Sequence, residues 1–246
     1  MAPLIITDEK QGVLTITLNR FSKKNALNTQ MYKQLCQLLT EADDKSSIYC
    51  VLIQGNEQCF CAGNDLQDFI DNTASDELVA LTLINILANF KKPLVAAVAG
   101  PAVGIGTTLL LHCDMVIAAD NSKFKLPFTQ LGLCPEAGSS LLIPQLVGHN
   151  KAFELMVLGQ TFSAEQACQY GIVNQVCHSD ELLSLANELA KNIAQLPHDA
   201  VITSKKLLRQ SNKQTLKQTI DNEGKQFIRL VNTAECKAIM SSFFKR

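Results

Sequence analysis

An α/β core followed by an all-helical segment is the fold class this sequence predicts. Three observations carry that prediction. Short β-rich runs alternate with helical stripes up to about residue 177. Hydrophobic residues make up 47% of the 246-residue chain and charged residues 18%, the balance of a chain that buries a core and not of a disordered one. Beyond Pro197 the helical period continues to the end with rising charge density.

The elements follow in order. Val13-Leu14-Thr15-Ile16-Thr17-Leu18 alternates as a strand, and Gln11-Gly12 turns into it from an earlier strand at Leu4–Thr7. Thr29–Asp44 puts Met31, Leu35, Leu38, Leu39 and Ala42 on one helical face. Tyr49–Gln54 is a strand ending at Gly55. Leu83, Ile86, Leu87 and Phe90 form a helical stripe stopped by Lys92-Pro93. Leu94–Val98 and Met115–Ala118 are buried strands, and Ser163 with Gln166 makes a capping box for a short helix. Leu182, Leu185, Ala186, Leu189, Ala190 and Ile193 share a further helical face.

Composition excludes several functions. Lys+Arg 22 against Asp+Glu 23 leaves a net charge of −1, with no field to hold nucleic acid or an anionic membrane. The apolar run 94–111 is broken by Gly100, Pro101, Gly104 and Gly106, which fits a strand, a glycine turn and a buried helix better than membrane insertion. Nine cysteines are an odd number without a CxxC pair, so reduced thiols are expected, with no metal site. The opening MAPLIITDEK lacks a signal-peptide pattern, and Phe243-Phe244-Lys245-Arg246 is not a peroxisomal address. The expectation is a cytoplasmic protein.

Chemistry is expected at two strand–turn–helix junctions. One is Cys59–Leu66 and the other Ala99–Thr108, both rich in glycine. Such turns leave amide N–H groups unpaired, and two of them facing each other suit a developing oxyanion. From spacing alone, a purely structural turn competes with that reading. Gly104-Ile105-Gly106 starts a dinucleotide fingerprint, but Leu109 takes its third glycine position and no acidic residue follows in a matching context. His112-Cys113-Asp114 reads as a buried structural cluster, and Gly138-Ser139-Ser140 is not a nucleophile elbow. Glu136, among small and apolar neighbours in Gly132–Gly138, fits a desolvated base or a glutamate complementing the next helix.

These residues resemble the crotonase family, the enoyl-CoA hydratases and isomerases. The matching segments are Asn19-Arg20, Lys24–Leu27, Cys61–Leu66, Gly100–Gly106, Phe128–Gly138, Leu158–Gln160, Ala164–Gly171 and Ser204-Lys205, nearly the whole chain. The resemblance implies a spiral of strand–strand–helix units over 1–195, with a helical segment over 196–246 that mediates homotrimers, often paired into hexamers. It implies an acyl-CoA substrate, with coenzyme A as part of the substrate and no cofactor. The oxyanion amides would be those of Asn64 and Ile105, with Gly104 and Gly106 supplying the turn angles. Backbone near Ala62, Asp65 and Leu66 would grip the adenine end of CoA, with Lys24–Ala26 near its phosphates or thioester arm; Asp65 equally fits a structural role.

The positions of the two hydratase glutamates hold Thr108 and Phe128 here. Glu136 instead stands, after Pro135, where peroxisomal-type 3,2-enoyl-CoA isomerases place their single catalytic glutamate. The resemblance therefore implies double-bond isomerisation by one carboxyl group. Other readings are a different single-carboxylate member acting on aromatic-derived or branched acyl-CoA, a hydratase, a catalytically inert acyl-CoA binder and, more distantly, a serine hydrolase.

Overall fold

The computed structural model describes residues 2–68 and 79–242. The closing Phe243-Phe244-Lys245-Arg246 lies outside the described residues. Six strands form the main sheet: β1 (Ile5–Lys10), β2 (Val13–Leu18), β3 (Cys50–Gln54), β4 (Leu94–Val98), β6 (Met115–Ala119) and β9 (Gln175–Cys177), in the order β1-β2-β3-β4-β6-β9. Within this sheet, among the described residues, only the β1–β2 pair is antiparallel. A second sheet joins β5 (Pro101–Val103), β7 (Lys123–Lys125) and β8 (Phe162–Ser163), with the Phe124 and Phe162 rings stacked.

Strand β1 runs on to Lys10 where apolar alternation predicted an end at Thr7. It is an edge strand, so Asp8, Glu9 and Lys10 face solvent while their backbones still pair with Thr15, Leu14 and Val13. The Gln11-Gly12 turn, with φ of 55° and 80°, has the two positive values a tight hairpin needs.

The side-chain period of two separates two cores. Ile16, Val51, Ile53, Ala96 and Val98 face the larger core, which α1 (Thr29–Asp44) and α2 (Val79–Asn89) help to fill. Val13, Cys50, Leu52, Val95, Ala97 and Ile117 face the other side, where α6 (Leu182–Ala194) seats Leu182, Ala186 and Ala190 on the sheet. Both faces are covered, so these strands are continuous apolar runs. Helix α1 spans the predicted residues, with Asn28 capping the Met31 amide and Tyr32 added to its buried face. The expected capping box is present, both of its hydrogen bonds made, at the start of α5 (Ala164–Gln169).

Strands β3 and β4 are parallel neighbours, so the chain leaves both at the same end of the sheet. Their loops lead into the two glycine turns, and the second opens α3 (Ile105–Thr108). Helix α4 (Ser139–Phe153) is kinked at Gly148, where φ is 75°. The C-terminal helices are α7 (His198–Gln210), α8 (Lys213–Val231) and α9 (Ala234–Ser242). Among the described residues no helix is long and apolar enough to cross a membrane.

Candidate active site

Backbone hydrogen bonds lock the two glycine turns together. The Cys61 amide donates to the Pro101 carbonyl and the Val103 amide to the Cys61 carbonyl, each at 3.0 Å. Glycine is required at the crossing because a Cβ on Gly106 would lie 2.5 Å from the Cys61 carbonyl oxygen. Gly104 has open space around it, and its φ of 54° with ψ of −120° is what demands glycine there. The expectation that both glycines supply angles thus divides: Gly104 supplies the angle and Gly106 the close approach.

On the other side of the first turn, the Leu27 amide donates to Gly63 and the Asp65 amide to Leu27. This parallel bridge skips the Asn64 amide. The Ile105 amide opens α3 and has no preceding turn to bond. Among the described residues, neither N–H has an acceptor. Both Asn64 and Ile105 line one cavity of about 320 Å³. The Asn64 side-chain oxygen accepts a hydrogen bond from the Tyr32 hydroxyl.

Glu136 lines the same cavity and is only 7% exposed. Its carboxylate accepts a hydrogen bond from the buried Thr108 hydroxyl. Burial among apolar groups pushes its pKa up to about 8; the Glu223 charge adds to the rise and the Thr108 hydrogen bond opposes it. Phe128, Leu133, Phe227 and Met240 supply apolar wall, the last two from the C-terminal helices. A carboxyl group with a pKa near neutrality therefore shares an apolar cavity with two unpaired amide donors. That is the equipment for moving a proton beside a carbonyl that becomes an oxyanion.

The structure brings Ala62, Asn64, Leu66, Gly104, Ile105 and Glu136 together as cavity lining. Lys24, Ala26, Asp65 and Pro135 are not in that lining. The Lys24 carbonyl accepts the Ala62 amide, and the Ala26 carbonyl accepts from Arg20 Nη1. Asp65 pairs with Arg20 at 2.6 Å and accepts the Gln67 and Asp68 amides. Burial raises its pKa, but these partners outweigh that and leave it below the ordinary value. Pro135 is half-buried directly before Glu136.

His112 and Asp114 form the expected structural cluster: Asp114 binds Lys205, Arg209 and the Leu94 amide, and burial holds His112 down at a pKa of about 4. Sequence reasoning missed Tyr32 and Glu223 altogether, and treated Thr108 only as an absent acid. For Glu223 a signal existed: a lone carboxylate in the stripe Leu216, Ile220, Glu223, Phe227.

Comparison with known proteins identifies the family. Residues 8–246 match the family model described as enoyl-CoA hydratase/isomerase. The 1,2-epoxyphenylacetyl-CoA isomerase of Escherichia coli is 36% identical over 91% of this chain and 88% of its own. Human enoyl-CoA delta isomerase 2 is also 36% identical, over 87% of this chain and 56% of its own, while relatives with hydratase names match at 33% and 35%. The structure of Pseudomonas aeruginosa OdaA superposes with a TM-score of 0.96 at 40% identity, covering 100% of both chains. The crotonase fold is shared, and this chain belongs to the enoyl-CoA hydratase/isomerase family.

Proposed function

We propose that this protein is an enoyl-CoA isomerase that moves a 3-enoyl-CoA double bond to the 2-position. The observation that carries the proposal is Glu136, a buried carboxyl group sharing one cavity with the unpaired Asn64 and Ile105 amides. The Glu136 carboxylate takes a proton from the α-carbon, and the electron pair delocalises over the dienolate. The two amides hold the thioester oxygen as charge builds on it, each worth roughly 3–4 kcal/mol. The new carboxylic acid then returns the proton to the γ-carbon. Atoms and electrons balance with one residue and no redox cofactor or metal. Hydration needs a second group to activate water, and Thr108 and Phe128 occupy the positions where family hydratases carry glutamates.

We place the CoA portion at the segments Lys24–Ala26 and Ala62–Leu66, which the hydrogen bond from the Ala62 amide to the Lys24 carbonyl joins. We also propose a homotrimer, or a hexamer built from two, with contacts through the C-terminal helices; light scattering showing a monomer at micromolar concentration contradicts it. A reducing, cytoplasm-like compartment suits the nine free thiols among the described residues.

A second reading is a cyclic, aromatic-derived acyl-CoA substrate. The Phe128 and Phe227 walls favour it, as does a relative named 1,2-epoxyphenylacetyl-CoA isomerase. The test follows ultraviolet absorbance with straight-chain 3-enoyl-CoA, a cyclic 3-enoyl-CoA and a 2-enoyl-CoA. A rise with the first and no loss with the third is expected. A rise only with the cyclic thioester supports the second reading. Loss of absorbance with the 2-enoyl thioester means hydration, and calorimetric binding without any turnover means an inert binder.

A further inference from the structure

The turn that presents Glu136 is strained and held from outside. The Ser139 amide donates to the Glu136 carbonyl at 3.0 Å, closing a four-residue turn. Its central residues, Ala137 and Gly138, have φ of 60° and 72°. Two successive left-handed residues suit glycine, and an alanine there costs roughly 1–2 kcal/mol. Such a turn persists only if its surroundings fix it. Two buried side chains do so. His112 Nε2 lies 2.8 Å from the Ala137 carbonyl. Glu223, on α8, accepts the Gly138 amide at 2.6 Å and the Ser140 amide at 2.8 Å, one on each carboxylate oxygen.

We infer that Glu223 is a positioning residue for Glu136, clamping the left-handed turn at the start of α4 so that the Glu136 carboxyl points into the cavity, and placing a fixed negative charge beside it. The inference rests on Glu136 being the proton-transfer group proposed above. Burial raises the Glu223 pKa above its ordinary value, and the Gly138 and Ser140 N–H donors at the helix N-terminus oppose that rise by stabilising the anionic form. Among the described residues, titratable groups around the pair include Tyr32 on α1, Lys125 on β7, Cys134 in the loop before Glu136, Arg229 on α8, and His112. Cys134 is pushed up to about 11 by burial and His112 down to about 4, so both stay neutral through the assay range. Tyr32 is raised well above its ordinary value, first by burial.

The test combines Glu223→Gln and Glu223→Asp with Glu136→Gln. Glutamine keeps one acceptor oxygen and removes the charge; aspartate keeps the charge and draws it back by one methylene. Two readouts are followed: the pH profile of kcat/KM, and the 13C carboxyl titration of Glu136, assigned by its disappearance in Glu136→Gln. For Glu223→Gln the Glu136 titration and the acidic limb both move about half a pH unit or more to lower pH, and plateau kcat falls roughly 10- to 100-fold. For Glu223→Asp the limb stays near its wild-type position while kcat falls and KM is kept. A purely structural role lowers folded protein and activity equally at every pH without moving either titration, and that result overturns the inference. So does a wild-type titration and kcat in Glu223→Gln. Should Glu223→Gln not fold, wild-type kcat in Glu223→Asp overturns it and the kcat loss at unchanged KM supports it. Should Glu136→Gln keep full turnover, the isomerase reading fails, and the carboxyl titration still decides whether Glu223 acts on Glu136.

Discussion

Replacing Glu136 by glutamine is expected to stabilise the fold, by an amount that grows with pH. Glu136 has a carboxyl pKa of about 8 in the folded chain, against an ordinary 4.5. The folded state therefore binds this proton more tightly than the unfolded state does between those two values. Stability that is complete below pH 4.5 is lost as pH rises through 8, because the unfolded chain ionises freely and the folded chain resists. At 1.36 kcal/mol per pH unit the penalty is about 3 kcal/mol at pH 7 and about 4 at pH 8. The glutamine side chain cannot ionise and has almost the same shape, so the variant escapes the penalty. Urea unfolding of both proteins at fixed concentration at pH 5, 7 and 8 measures the difference. The expected gap is small at pH 5 and widens steadily. Parallel stability curves would mean that Glu136 is solvated and ionised in the folded chain, and the desolvated-base argument would fall.

Two further substitutions test the machinery around that carboxyl. Thr108→Val removes the hydroxyl that stabilises the ionised form, so the acidic limb of kcat/KM moves to higher pH, opposite in sign to Glu223→Gln; Thr108→Ser restores it. An unmoved limb refutes the role given to Thr108. Gly106→Ala forces a methyl group to 2.5 Å from the Cys61 carbonyl and pushes the two turns apart. Stability drops about 1–3 kcal/mol and kcat/KM falls on the order of 10²-fold through displaced amides; full activity in a folded variant contradicts the two-turn arrangement.

The sequence made long periodic elements legible and short ones illegible. Helix α1 was bounded from its stripe, and the Ser163–Gln166 capping box from its residue types, because each signal is local. Strands β5, β7 and β8 are two or three residues long, too short to show a period. The site divides the same way. The two glycine turns announced themselves as unusual backbone, and Asn64, Ile105 and Glu136 gained specific roles only through family resemblance. From its neighbours alone Glu136 fitted a base or a helix-end glutamate, since nothing local shows that α8 folds over it. Glu223 lies 85 residues from the Gly138 amide it binds, and Tyr32 lies 32 from Asn64. Such contacts are products of tertiary packing, and a one-dimensional pattern carries at most the hint of a carboxylate in an apolar stripe.

The most direct test of single-carboxyl isomerisation is the rise in ultraviolet absorbance on mixing a 3-enoyl-CoA with wild type and with Glu136→Gln. The expected result is conjugation by the wild type and a loss of roughly 10²- to 10⁴-fold in kcat for the variant, with KM little changed. Wild-type turnover by Glu136→Gln would contradict the account and move the proton transfer to another group in the cavity.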